Sequence, residues 1–373
     1  MSRVSLTFLW ETPARAIPVF SVFIPFFGCP RRCVFCSQHD QTGQQASPLD
    51  EILARAAADL HARRAQGRPP VELAFYSGTF TALAPRDLDA CLDMADSLRR
   101  DGCITRFRCS TRPDRLDAAL LARLRRHGCR TVELGIQSFS DTALQASERH
   151  YSGRQATEAC RLVRDAGLAL GVQLLPGMPG HQPEDFLADV RRALNLGADM
   201  LRFYPCLVLT GTELARRWQQ GLYAPWPLPR TLSLLARGWL YARHAGVPVI
   251  RMGLAPEPGM EAALLAGPAD RNLGGRVLGR ALWLHVCACL LRARGDDAAR
   301  SEVRAAALLD ALLAGGKAPA GLPRAQALYL PRSCQGFFRG PGDELGTAWA
   351  ALGITRRNLV WTAGQAASLH LDA

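Results

Sequence analysis

Six times between residues 19 and 220 a short apolar run gives way to a helical pattern, and no other feature of the chain narrows its fold so far. The apolar runs are Val19–Ile24, Val71–Tyr76, Thr105–Cys109, Thr131–Ile136, Leu168–Leu175 and Met200–Tyr204. The first is followed by a helix start at Ser47-Pro48-Leu49-Asp50, read as Ser at the N-cap, Pro at the first position and an acid in the first turn, with Ile52, Leu53, Ala56, Ala57 and Leu60 at helical spacing. Helical stretches then follow at Pro85–Arg100, Asp117–His127, Asp141–Glu148 with Arg154–Ala166, Pro183–Leu196 and Thr212–Gln220, and Gly128, Gly167 and Gly197 act as stops. Repeated strand–helix units imply a parallel sheet with helices outside. Six units fall two short of a closed eight-stranded barrel. The predicted class is therefore α/β, an incomplete (β/α)6 TIM-like barrel over about residues 17–225. A helix at Leu232–His244 and a strand at Val247–Gly253 extend this core, giving a first domain of residues 1–255. Residues 256–373 lose the alternation: helices at Ala281–Arg294 and Glu302–Ala314 sit among Gly- and Pro-rich patches, a small C-terminal extension of unassigned role.

The loop after the first strand reads Gly28-Cys29-Pro30-Arg31-Arg32-Cys33-Val34-Phe35-Cys36, a C-x3-C-x2-C spacing. It falls at the C-terminal end of a strand, the face on which βα barrels carry active sites. Three thiolates so spaced suit one corner of a cubane iron–sulfur cluster, leaving one iron open to a ligand. A structural zinc asks for four ligands, usually as two short pairs. Only one such pair is present, and His39 is a fourth donor on spacing alone. Disulfides, or plain packed thiols, are the remaining readings. The chain has 12 cysteines, scattered along 373 residues; its first eleven residues hold no apolar run long enough for a signal peptide, and the apolar run from Ile17 to Phe27, interrupted by Pro18 and Pro25, is too short to span a bilayer. A reducing cytoplasm is the compartment expected, with no membrane partner.

The motif, with Phe35 before its last cysteine and its place after the first strand, resembles that of the radical S-adenosylmethionine (SAM) superfamily. TVELGIQS at Thr131–Ser138 and LLPGMPG at Leu174–Gly180 resemble the subgroup that holds the Elongator catalytic subunit and the oxygen-independent coproporphyrinogen oxidases. STRPD at Ser110–Asp114, and the phrase from Gly28 through Gln38 to Thr42-Gly43, lean to the Elongator side. The resemblance spans about residues 17–255. It implies a [4Fe–4S] cluster on Cys29, Cys33 and Cys36, with SAM chelating the open iron. Ser77-Gly78-Thr79 stands where the superfamily binds the methionine amine, although the usual Gly-Gly-Glu is absent. Arg149, twelve residues after Gln137, matches an arginine that pairs with the SAM carboxylate. Ser110 and Gln137 are expected near the ribose and the backbone at Pro176 near the adenine. The implied chemistry is reductive cleavage of SAM to methionine and a 5′-deoxyadenosyl radical that abstracts hydrogen from a substrate, with the electron from a flavodoxin- or ferredoxin-like donor.

The substrate is less constrained. The formal charge of +12 is carried almost wholly by arginine, Lys317 being the sole lysine, which favours an anionic partner such as tRNA or another RNA. Arg276-Val-Leu-Gly279-Arg-Ala281 echoes an acetyl-CoA pyrophosphate turn, but no strand is predicted before it and about a hundred residues are few for an acetyltransferase domain, so it is read as a chance match. Two other readings stay open: radical chemistry on a small molecule or tetrapyrrole, and a non-catalytic iron–sulfur or haem-handling protein. Cys109, Cys287 and Cys289 are weak candidates for a relay or second site. Tyr204, ending the sixth strand, faces the predicted active side.

Overall fold

The computed structural model describes residues 4–9, 17–42, 47–254, 258–364 and 366–371. Its strands are β1 (Val4–Leu9), β2 (Val19–Phe23), β3 (Val71–Tyr76), β4 (Ile104–Thr111), β5 (Cys129–Gln137), β6 (Ala169–Leu174), β7 (Met200–Phe203), β8 (Val208–Leu209), β9 (Val249–Met252), β10 (Leu264–Ala266), β11 (Ala325–Pro331), β12 (Leu359–Thr362) and β13 (Ala366–Leu371). One unit comprises the described residues between Arg15 and Thr231 and between Tyr241 and Arg271. The other gathers those before Ala14, the segment Leu232–Leu240 and those from Asn272 on.

In the first unit seven strands run in the order β2-β3-β4-β5-β6-β7-β9, every neighbouring pair parallel, as a curled half-barrel. The incomplete α/β barrel expected from the alternation is thus present, with one strand more. The run after the helix Leu228–His244 is not an appendage: β9 pairs with β7 and forms the seventh strand. Core strands such as β3 are buried on both faces, which explains their near-continuous apolar sequence. The helices are set by local chemistry. Asp117 accepts from the Leu120 N–H to cap the helix Ala118–Arg126, and Ser152 and Gln155 close a reciprocal capping box on Gly153–Asp165. Ser47 does not serve as the expected cap. The helix Leu49–Ala65 starts after Pro48, and no side chain caps it. Gly43, part of the phrase read around the cysteines, lies outside the described residues.

The second unit holds a four-stranded sheet, β1-β13-β11-β12, and the helices Leu273–Ala293 and Ala298–Leu313. Sequence reading found these helices but no sheet. Its strands come from both chain ends, Val4 lying opposite Leu371, so no local pattern announces them. The helix Leu273–Ala293 is long and apolar enough to cross a membrane by composition, yet 72% of that stretch is buried in the fold.

Candidate active site

The cysteine loop is held by close backbone crossings. Gly28 has φ +72°, and a Cβ there would lie 2.3 Å from the Thr79 carbonyl oxygen. Gly78 has φ +61°, and its Cβ would lie 2.4 Å from the Phe27 carbonyl oxygen. Only glycine fits either crossing. The Thr79 N–H donates to Phe27 O at 2.7 Å, and the Gly78 N–H donates to Gln38 Oε1 at 2.9 Å. From the other side the Leu214 N–H donates to Val34 O at 2.8 Å. The loop is thereby fastened to the turn Ser77-Gly78-Thr79, and the Thr79 hydroxyl sits 3.3 Å from Cys29 Sγ.

Cys29, Cys33 and Cys36 line one cavity of about 310 Å³ at the C-terminal end of the half-barrel. All three are free thiols and half-buried. Burial, then the neighbouring Cys33 and Cys29, push the Cys36 thiol up to about 12. Ser77, Gly78, Thr79, Ser110, Gln137 and Arg149 line the same cavity. The cavity thus gathers residues from the ends of four separate strands, β2, β3, β4 and β5, together with Arg149 from the segment between the helices Asp141–Ala146 and Gly153–Asp165. Pro176 is not part of the wall. It is buried with its carbonyl accepting the Cys206 N–H at 2.9 Å, and the neighbouring Leu175 faces the cavity instead.

Arg149 is 5% exposed. Its Nη1 lies 2.9 Å from Cys33 Sγ, its Nη2 donates to Gly135 O at 2.6 Å and its Nε donates to Tyr151 Oη at 3.0 Å. Among the described residues no carboxylate reaches it. A buried cation with only neutral partners is expensive unless an anion completes its shell. Thiolates, or a bound carboxylate, are the anions this position can take. Arg112 reinforces the same wall: its Nη2 donates to Arg149 O at 2.6 Å and its Nη1 lies 3.7 Å from Cys33 Sγ, while Asp114 holds its Nε at 2.9 Å.

Backbone strain marks the same place. Among the described residues six non-glycines have φ in the left-handed region. Phe26, Ser77 and Gln137 line the cavity, and Glu148 and His150 flank Arg149. Such residues cost about 1–3 kcal/mol each and persist where the surroundings impose them, commonly at functional sites.

Beneath the cysteines the barrel interior is charged, which the sequence reading missed. Arg106 Nε lies 3.0 Å from Glu72, Arg108 bridges Glu72 and Glu133, and Arg202 Nε lies 2.5 Å from Glu133. Tyr76 donates to Glu133 at 3.0 Å and accepts from Arg202 at 2.6 Å. Gly171, opposite Glu133, leaves room for it: a Cβ there would meet Glu133 Cγ at 2.7 Å. Arg106 and Arg108, two residues apart in β4, were the one sequence signal of this network.

The other candidates fall elsewhere. Cys109 is buried beside Cys129, and Cys287 and Cys289 are buried in the helix Leu273–Ala293. The His39 ring packs 5.1 Å from Phe26. Arg276 and Arg280 both grip Glu344, at 2.6 and 2.8 Å, from inside the helix Leu273–Ala293. The Arg276–Ala281 pattern is thus mid-helix packing, not a phosphate-cradling turn at a helix start. The lead-in does contain one short strand, β10, paired with β8.

The donor set fits an iron–sulfur cluster with a bound SAM. No three Cys, His, Asp or Glu side chains among the described residues converge on a single ion, and a cubane that takes one thiolate per iron does not require that. Comparison with known proteins agrees. Residues 23–193 match the model of the radical SAM superfamily, and residues 198–280 match that of the radical SAM C-terminal domain. The tRNA uridine(34) acetyltransferase of Dehalococcoides mccartyi is 29% identical over 269 residues, 63% of this chain and 57% of that protein. That of Methanocaldococcus jannaschii is 26% identical over 73% of this chain and 57% of that protein. The heme chaperone HemW of Mycobacterium tuberculosis is 30% identical over 60% of this chain and 58% of that protein. The chain thus spans a little over half the length of the relatives it matches. Among solved structures, the archaeal Methanocaldococcus infernus Elp3 superposes with a TM-score of 0.54 at 22% identity, covering 70% of this chain and 62% of that one, a likeness of fold.

Proposed function

The chain belongs to the radical SAM superfamily, and we propose that it is an enzyme whose substrate is tRNA or another RNA. Its cofactors are a [4Fe–4S] cluster and SAM. When bound and reduced, the cluster supplies the electron that cleaves SAM to methionine and the 5′-deoxyadenosyl radical. Cys29, Cys33 and Cys36 would hold three irons. Ser77-Gly78-Thr79 offers backbone carbonyls to the methionine amine, since its Gly78 and Thr79 N–H groups are spent on Gln38 and Phe27. Arg149 retains one N–H on each terminal nitrogen beyond those it uses, enough for one side of a carboxylate. Ser110 and Gln137 supply polar groups for the ribose, and Gln137 is oriented by Gln173 at 3.3 Å. The half-barrel wall keeps bulk water and stray hydrogen donors from the reacting carbon. The electron comes from an external donor of flavodoxin or ferredoxin type.

The observation that carries the enzymatic reading is the convergence of the three thiols and the buried, carboxylate-free Arg149 on one cavity. RNA is favoured as substrate by the +12 charge and by the tRNA-acting relatives, which align over up to 73% of the chain. The HemW likeness supports a second reading, a haem-handling protein on the same core. Incubating reduced, SAM-loaded protein with unmodified tRNA and with haem separates them. Stimulation of 5′-deoxyadenosine release by tRNA supports the first reading; stoichiometric haem binding with no such stimulation replaces it with the second.

A further inference from the structure

Six arginines line the cavity, Arg31, Arg32, Arg112, Arg149, Arg202 and Arg251, against one carboxylate, Glu133. Arg112 is paired with Asp114, Arg202 with Glu133, and Arg149 faces Cys33. Arg31, Arg32 and Arg251 have no carboxylate partner among the described residues. Arg32 lies over the Phe26 ring at 4.4 Å, and Arg251 makes one long contact, Nε to Gly253 O at 3.4 Å. SAM cannot neutralise this excess, because its sulfonium and ammonium outnumber its one carboxylate. Arg31 and Arg32 stand between cluster cysteines, in the loop that carries the thiols. Arg251 does not: it projects from β9, at the end of the sheet opposite β2, which leads into the cysteine loop. On the adjacent wall Tyr204 Oη accepts from Arg202 Nη1 at 3.1 Å, which leaves its own hydrogen without an acceptor among the described residues. Both available groups on that wall are donors, one of them cationic. They suit an acceptor-rich anion.

We propose that Arg251 and Tyr204 form an oxyanion subsite for substrate, occupied by a backbone phosphate next to the reacting nucleotide. The identity of that anion rests on the RNA reading above; the subsite itself rests on the charge imbalance of the cavity. A guanidinium and a phenolic hydroxyl on one wall fix the register of a phosphodiester without reading its base. Position across the cavity from the thiols lets the contact hold the nucleotide against the site of hydrogen abstraction.

The test is equilibrium binding of a fluorescently labelled, unmodified tRNA transcript to cluster-reconstituted, SAM-bound protein across a salt series. Arg251→Gln is expected to weaken binding several-fold at about 0.1 M salt and to lower the slope of log affinity against log salt by about one, as loss of one phosphate contact requires. Tyr204→Phe is expected to weaken binding with the slope unchanged, since no charge is removed. Iron content and SAM affinity serve as controls and stay at wild-type values in both. Arg251→Gln protein that binds tRNA with wild-type affinity and slope overturns the subsite. Wild-type protein that does not bind tRNA even at low salt overturns the RNA reading instead. In that event, binding of coproporphyrin weakened by Arg251→Gln transfers the subsite to a carboxylate substrate and refutes the phosphate assignment.

Discussion

Arg149 concentrates the argument at the residue scale. Burial alone would lower its pKa, but the Tyr151 hydroxyl and the Cys33 sulfur more than offset that, so it stays a cation where few cations are tolerated. If it also pairs with the SAM carboxylate, Arg149→Ala weakens SAM binding by about 2–5 kcal/mol, the cost of truncating one member of a buried charge pair. Arg149→Lys keeps the charge but loses the planar fork, and falls between. Calorimetry on reconstituted protein checks this, with iron content as the control for folding. Wild-type SAM affinity in Arg149→Ala protein with a full cluster contradicts the assignment. Gly78 makes a different kind of prediction. Gly78→Ala meets both the +61° φ and the Phe27 oxygen, so the cysteine loop must move. The variant is expected to fold with an unchanged far-ultraviolet spectrum and to take up less than half the wild-type iron; full iron uptake contradicts the crossing. The cysteines and Gly78 stand in short spaced motifs that the sequence displays, and Arg149 was singled out by resemblance, twelve residues after Gln137. Gln38, Arg112 and Tyr151 were not, because their roles depend on contacts such as Arg112 to Arg149, 37 residues apart.

Among elements, the strands carry two kinds of information. Their apolar runs were readable, and six of the seven barrel strands fell where the alternation put them. Strand β9 was found but not placed, since only its pairing with β7 shows that it belongs to the sheet. The charged interior was also missed. Glu72, Arg106, Arg108, Glu133 and Arg202 lie on four strands, and each reads alone as an ordinary polar residue. Glu133 sits between Arg108 and Arg202 with its side chain 5% exposed. Glu133→Gln leaves the Arg202 guanidinium without a carboxylate and Arg108 with Glu72 alone, and a loss of about 3–5 kcal/mol in unfolding free energy is expected from denaturant titration; a change under about 1 kcal/mol would mean the network is solvated. In the C-terminal unit Glu344 plays the corresponding part. Burial alone would raise its carboxyl, but hydrogen bonds from Arg280 and Arg276 outweigh burial and hold it below its ordinary 4.5. A depressed carboxyl stabilises the fold above its unfolded pKa and stops doing so as pH falls through its folded value. The stability gap between wild type and Glu344→Gln is therefore expected to be full at neutral pH and to close as pH drops below 4.5. A gap independent of pH contradicts this pairing.

For the whole molecule, the two units differ in how far sequence reading reached. The half-barrel is assembled from local strand–helix units of consecutive sequence, so periodicity and stop signals suffice. The C-terminal sheet closes by pairing Val4–Leu9 with Ala366–Leu371, and contacts across nearly the full chain leave no trace in any short window. The acetyltransferase-like pattern at Arg276–Ala281, read as a chance match, lies within the helix Leu273–Ala293. Charge belongs to this scale too. If tRNA is the substrate, as proposed, its affinity for a protein of charge +12 should fall steeply as salt rises. Beneath these points lies one claim, that three cysteines equip this fold to cleave SAM reductively. Its most direct measurement is the 5′-deoxyadenosine released when anaerobically reconstituted protein, carrying about four irons per chain, is reduced in the presence of SAM, wild type beside Cys33→Ala. The account predicts release by the wild type and none by the variant, whose cluster is lost. A wild-type chain with a full cluster that yields no 5′-deoxyadenosine, with tRNA present or absent, would contradict it.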